Sequence, residues 1–364
     1  MNRFLVVMLS LSIFPLNISS FPMQNNQNNT EVTVSQIPVE EIAVIKNISS
    51  ITSEEALVDK KIETITISFA GDCTIGSDES YKGHTFHKVY KEVNDPSYFF
   101  QGVNRVFLND DYTLINLEGA FTNETKKAVK EYRYKGPPEY CEILKKGGID
   151  GVTLANNHTM DYLQNGYDET VKTLNEWGID YTNSVTYFIK NIKGVKIGFL
   201  GYKAWSNEKN TKELLIKHVK EMRDKKVDFI IANFHWGDMY SYTPNTQQKN
   251  MAHYAIDNGV DLVIGHHPHV LQGMECYKEK NIVYSLGNFC YGGKANPKDK
   301  DTIIFQQKIS YDLSQSKIVA TDFIIIPASI SSKANINNFQ PILVTGQEGV
   351  RILEKYKELS DKIK

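Results

Sequence analysis

From Thr64 to Ala70 the chain is rich in β-branched residues and stops at Gly71 and Asp72, which predicts a buried strand running into a loop. A helical pattern over 98–109 follows, then the apolar strand "YTLINLE". "PPEYCEILKKGG" carries prolines where a helix starts and glycines where one ends. Next come the strand "DGVTLAN", the helix "YDETVKTLNEWG" and a hairpin of "TYFIKN" with "VKIGFLGY". The helix "TKELLIKHVKEMRDK", the strand "VDFIIANFHWG", the helix "TQQKNMAHYAIDNG" and the strand "VDLVIGHH" continue the alternation. Strand and helix in turn predict an α/β domain. Beyond "NIVYSLGNF" the chain becomes strand-rich in "TIIFQQKISYD" and "KIVATDFIIIP", and it closes on a charged helix near 348–360.

The pattern before residue 61 is different. "MNRFLVVMLSLSIFPLNISSFPM" sets one arginine before an apolar run from Phe4 to Leu16, then small residues at Ser19 and Ser20. This predicts a secretory signal or an N-terminal membrane anchor over residues 1–22. The run is shorter than the ~20 residues a spanning helix wants. Residues 23–60, opening "MQNNQNNTEVTVSQIP", show no clean period and read as a flexible polar spacer, which leaves 61–364 as the folded domain. The expected location is extracytoplasmic, at the cell surface or secreted.

Composition narrows the class only a little. The 364 residues are 41% hydrophobic and 23% charged with a net charge of −2, which is ordinary for a soluble domain and gives no basis for a nucleic-acid partner. Cys73, Cys141, Cys276 and Cys290 form no CxxC pair, which argues against a zinc ribbon and against a dense disulfide scaffold. They read as small buried apolar side chains, with a Cys276–Cys290 bridge as the minor alternative.

The chemistry gathers just after strands. Asp72, Glu118, Asn157 with His158, His235, and the "GHHPH" run of His266, His267 and His269 all follow the C-terminal ends of apolar segments. In α/β sheets ligands collect at those ends. Alone, each has a plain alternative: a turn aspartate, a capping glutamate, a core imidazole, a surface loop. Together, carboxylates, an amide and imidazoles suit divalent transition metals such as Zn, Mn, Fe or Ni, rather than Ca²⁺. A paired centre clamps the attacking and leaving oxygens of a displacement and lowers the pKa of bound water from ~15.7 towards ~7.

In order, "AGD", "NLE", "ANNHTMD", "FHWGD", "GHHPHV" and "YSLGNF" resemble the poly-gamma-glutamate capsule synthesis protein family (CapA), a branch of the calcineurin-like metallophosphoesterase superfamily. The resemblance covers roughly 65–289 and implies a four-layer α/β/β/α sandwich with two metals at the strand ends. It implies Asp72, Glu118, Asn157, His235, His267 and His269 as metal ligands, Glu118 as the bridge, and His158 as an acid toward the leaving group. His266 stands outside the pattern. Asp161 is either the partner that orients His158 or the N-cap of the next helix. Arg133, Ser285 and Asn288 are candidate substrate contacts, with a solvated loop or a tight turn as the plainer readings. Trp236, Tyr240 and Tyr242 are either an aromatic wall or ordinary packing. His84 and His87 read as surface residues. One departure matters: the superfamily's opening Asp-x-His is "DCT" here, with Thr74 where the imidazole belongs.

Two functions follow as expectations. One is a metal-dependent hydrolase of phosphoesterase type, acting in synthesis, export or processing of poly-gamma-glutamate or a related surface polymer. The alternative is a non-catalytic polymer-binding or scaffold subunit, partnered with membrane synthase or export subunits.

Overall fold

The computed structural model describes residues 4–9, 42–47, 61–204, 208–293 and 296–363. Among these, two large sheets lie face to face, one of ten strands and one of six. The first sheet centres on Ile62–Thr74, which pairs in parallel with Tyr112–Leu117 and antiparallel with Asp301–Asp312. Gly151–Thr153 and Asp180–Thr182 extend it on one side, and Lys317–Ser329 on the other. The second sheet has Val195–Lys203, Phe229–His235 and Leu262–His266 as its parallel middle.

Side-chain alternation sorts each strand between two cores. Ile65, Ile67 and Phe69 face Ile197, Phe199, Ile231 and Ile264 in the layer between the sheets. Ala70, Cys73, Ile115 and Leu117 turn outward, under helices that include Phe86–Val93, Cys141–Gly147 and Leu163–Trp177. Ile230, Ala232 and Val263 turn outward under Glu208–Asp224 and Thr246–Asp257. Both faces of both sheets are therefore covered, and the architecture is the α/β/β/α sandwich that the resemblance implies.

A repeated device pins the strand starts. The side chains of Asp111, Asp150, Asp228 and Asp261 accept the backbone N–H of Thr66, Thr113, Lys196 and Ile230, at 2.8–2.9 Å. In return, each aspartate donates its own backbone N–H to the neighbouring strand. Each clasp fixes the register of one parallel strand against the next.

Several expectations need correction. The pattern over 98–109 is not one helix but the short turns Pro96–Phe99 and Asn104–Phe107, broken at Gly102. Gly102 approaches the Pro341 carbonyl too closely to carry a side chain. The helix Phe86–Val93 and the strand Leu271–Tyr277 were not read from the sequence. All four cysteines are free, so no Cys276–Cys290 bridge exists. His84 and His87 are half-buried rather than surface residues, bonded to the Asn337 carbonyl and the Tyr140 hydroxyl. Within the expected signal and spacer, Phe4–Leu9 and Ile42–Asn47 are strands paired with each other, and the second also pairs with Lys317–Ser329. Otherwise those two segments lie outside the described residues.

Candidate metal centre

Strand register assembles the site. Asp72 sits beside Asn116 on one neighbouring strand and Asn288 on the other. His235 sits beside His266 in the second sheet. Gly71 makes the contact with the Asn288 strand possible: a Cβ there would lie 2.0 Å from the Gly287 carbonyl, which instead accepts the Asp72 N–H at 2.9 Å. "AGD" and "LGN" are thus two halves of one close backbone approach.

Glu118, His267 and His269 bring one ligand atom each within 4.8 Å of one another. His235 joins them: its Nε2 lies 3.1 Å from His267 Nδ1, 3.5 Å from Glu118 Oε1 and 2.8 Å from Asn157 Oδ1. Donors bound to one ion at ~2.0–2.3 Å stand about this far apart. Asp72 is placed differently. Its Oδ1 accepts from Asn116, and its Oδ2 takes the His267 backbone N–H and lies 3.2 Å from His269 Nδ1. It meets the side of the His269 ring opposite Nε2, which faces Glu118 at 3.8 Å. In this arrangement Asp72 orients a donor ring.

The fit to a cation rests on Glu118. It is fully buried, and neither carboxylate oxygen has a hydrogen-bond partner. A buried carboxylate left so costs several kcal/mol unless a positive charge meets it. Burial pushes its carboxyl up to about 8. Burial, with neighbouring imidazoles, draws His267 down to about 4 and His235 well below its usual value, so both are neutral donors at pH 7. Burial also lowers His269, but the carboxylates of Glu118 and Asp72 outweigh it and hold that imidazole at about 9. For Asp72, burial works upward, and His269 still keeps its carboxyl below the ordinary range. His267 and His269 have φ of 99° and 59°. Such backbone costs roughly 1–3 kcal/mol per residue and marks a turn built to aim its side chains.

His158 stands beside this group. Its Nδ1 donates to Asp161 Oδ2 at 2.7 Å. Asp161 is not a helix cap, because Leu163–Trp177 has no side-chain cap bond; it accepts instead from His158, Lys130 and the Tyr134 N–H. Burial lowers the His158 imidazole in spite of Asp161.

The remaining candidates divide. Asn288 Oδ1 lies 3.0 Å from His269 Nδ1, and its Nδ2 donates to the His269 carbonyl. Ser285 is fully buried, with its hydroxyl on the Val270 carbonyl, so it shapes the turn and cannot touch substrate. The Arg133 guanidinium donates from Nη1 to the carbonyl of Lys130. Trp236 is core, stacked on Phe234. His266 is buried with both ring nitrogens unpartnered, and Nδ1 is 3.6 Å from Asp72. Thr74 Oγ1 is also buried without a partner.

Sequence reading missed three residues. Asn116 links Asp72 to His235, lying 2.8 and 3.2 Å from them. Asn156 bonds Asn116 and accepts the His158 N–H. Lys130 donates to Asp161 at 2.7 Å and to the Asn157 carbonyl at 2.9 Å. An amide inside the apolar run "TLINLE" was the available signal for Asn116. Lys130 had none, since its loop reaches the site only through folding.

Residues 66–292 match the family described as "Bacterial capsule synthesis protein PGA_cap". The capsule biosynthesis protein CapA of Bacillus anthracis is 30% identical over 270 residues, 67% of this chain and 64% of that protein. The PGA biosynthesis protein CapA of Bacillus subtilis is 31% identical over 253 residues, 63% of this chain and 64% of that one. The chain thus matches a little under two thirds of the length of these relatives. A crystal structure of a phosphatase from Mycoplasma pneumoniae aligns with TM-score 0.45 and 14% identity, over 82% of this chain and 99% of that one. The matched family segment spans more than half of the chain and takes in every candidate donor from Asp72 to His269, so this chain belongs to the bacterial capsule synthesis protein PGA_cap family.

Proposed function

We propose that the protein acts outside the cytoplasm in synthesis, export or processing of poly-gamma-glutamate or a related anionic surface polymer, through a divalent-metal-dependent hydrolase centre of phosphoesterase type. The observation that carries this reading is the Glu118 carboxylate, buried and unpartnered among His235, His267 and His269. Glu118, Asn157, His235, His267 and His269 would hold the metal ions, with Asp72 as a further donor or as the group that fixes His269. When bound, such ions supply Lewis acidity toward an ester oxygen and an activated water. The protein's own part is positional. Asp161 accepts the hydrogen bond from His158 Nδ1–H, which leaves Nε2 as the atom that can carry a proton to a departing oxygen. An anionic ester beside it raises the proton affinity of that nitrogen. Asn288 and Asp72 fix the His269 ring. The names of the relatives and the signal-like residues 1–22 support the polymer and the location.

The test is metal content and aryl phosphate hydrolysis on the full chain. Wild type should carry a divalent transition metal, and His267→Ala should lose most of it. His158→Ala should keep its metal while turnover falls about 10²-fold or more. A folded, metal-loaded wild type that turns over neither phosphate esters nor γ-glutamyl substrates would overturn the hydrolase reading.

Thr74 favours a second reading. With threonine in the superfamily's imidazole position, one side of the centre lacks a nitrogen donor. A metal-holding, non-catalytic scaffold that binds polymer and membrane synthase subunits fits that loss. Normal polymer formation in cells carrying His158→Ala would select it.

A further inference from the structure

A recess of about 520 Å³ opens beside the donor cluster, with His269 and Asn288 belonging to both. Its size lies within the ~300–1,000 Å³ that small-molecule sites occupy. Tyr240, Tyr242 and Tyr291 line it. The Tyr242 hydroxyl donates to Asp299 at 2.8 Å, and Lys355 Nζ sits 5.2 Å from its ring centroid. Tyr291 is buried, with its ring 5.5 Å from that of His269. Tyr240 has φ of 64°, a conformation bulky residues avoid, and its N–H donates to the Pro268 carbonyl at 2.7 Å. That backbone holds a ring that is 52% exposed at 6.3 Å from His269. A strained residue that presents an aromatic face beside a donor cluster is a mark of function.

The rings select the occupant. Asp299 already accepts from Tyr242 and Lys355, so its carboxylate is engaged. Among the described residues Lys298 is the one lysine or arginine lining the recess, and it stands exposed. Three tyrosine rings suit a flat apolar group.

We propose that this recess is a subsite for a flat ring, aryl or heteroaryl, carried by the same molecule whose anionic group reaches Glu118, His267 and His269. The inference rests on the hydrolase reading above and gives it a substrate class, ring-bearing phosphoesters. Lys298 meets a second negative charge near the mouth.

The experiment is calorimetric binding of phenylphosphonate and methylphosphonate to the Mn²⁺-loaded full chain. Phenylphosphonate should bind about tenfold more tightly, the scale of one well-placed ring contact. Tyr242→Ala and, separately, Tyr240→Ala should shrink that ratio, and Tyr242→Phe should keep it. Equal affinities in wild type, or a ratio that survives both alanine variants in folded protein, overturn the proposal. Saturation-transfer NMR of benzoate against acetate, on metal-free protein, reads the recess without the metal centre. Benzoate binding that is lost in Tyr242→Ala, with neither phosphonate bound by the loaded protein, overturns the hydrolase reading and the substrate class while upholding the ring site. No ring preference in either measurement overturns the subsite.

Discussion

At the scale of single residues, Glu118 decides most. Its folded carboxyl is raised by burial to about 8, above the ordinary value of 4.5, so the metal-free fold is favoured by protonation and loses stability as pH rises from about 4.5 through 8. His269, raised to about 9, works in the same direction: its contribution is present below 6.5 and lost as pH rises through about 9. A divalent cation displaces those protons. Apparent metal affinity should therefore climb with pH and level off near 8–9, as competition with a chelating dye between pH 6 and 9 would show. Glu118→Gln removes the buried charge as well as the donor. Above pH 8 its metal-free form should be more stable than wild type by roughly 1–3 kcal/mol, while its metal content falls; paired urea melts and elemental analysis check both. A glutamate that merely capped a helix would show the opposite stability sign.

At the scale of elements, the strand ends divide the work. Their carboxyl ends carry the donors, and their starts carry the aspartate clasps. Asp261 accepts the Ile230 N–H at 2.9 Å and pairs with Arg223 and Lys280 at 2.7 and 2.8 Å. Asp261→Ala leaves that backbone donor without its partner. It should cost about 1–3 kcal/mol in denaturant melts and leave metal stoichiometry unchanged, because the clasp lies at the far end of the strand from His266. Most elements were legible because apolar runs with β-branched residues, capped by glycine or asparagine, say strand or helix locally. The 98–109 segment was not, since an apolar period alone cannot show that Gly102 must pass against Pro341. Leu271–Tyr277 was also missed, because its pairing with Lys280–Leu286 lies in a tight hairpin that local apolarity does not mark.

At the scale of the whole molecule, the helix Gly346–Asp361 closes the edge of the layer between the sheets with Ile352, Leu353 and Tyr356. Arg351 and Lys355 tie it to Asp301 at 2.5 and 2.7 Å. Burial would raise the Asp301 carboxyl, but these two cations hold it below 3.8. Its stabilising effect is thus present above about 3.8 and lost as pH falls through the lower folded value. Asp301→Asn should remove that part of the acid sensitivity. The cost at neutral pH should be only about 1 kcal/mol, since Arg351 is half exposed and solvent screens the pair; thermal melts between pH 3 and 7 test it. The sequence by itself determined most of the strands and helices, and which polar residues end the apolar runs, because both follow from side-chain periodicity along a local stretch. It supplied Asp72, Glu118, Asn157, His235, His267 and His269 as candidates without saying how they meet. Only the tertiary structure decided that Asp72 faces the far side of the His269 ring, that Ser285 bonds the Val270 carbonyl and Arg133 the Lys130 carbonyl, that Lys130 holds Asp161, and that three tyrosines line a recess. Those outcomes depend on register between strands distant in sequence and on two glycines letting backbones touch, and no short stretch of chain encodes either.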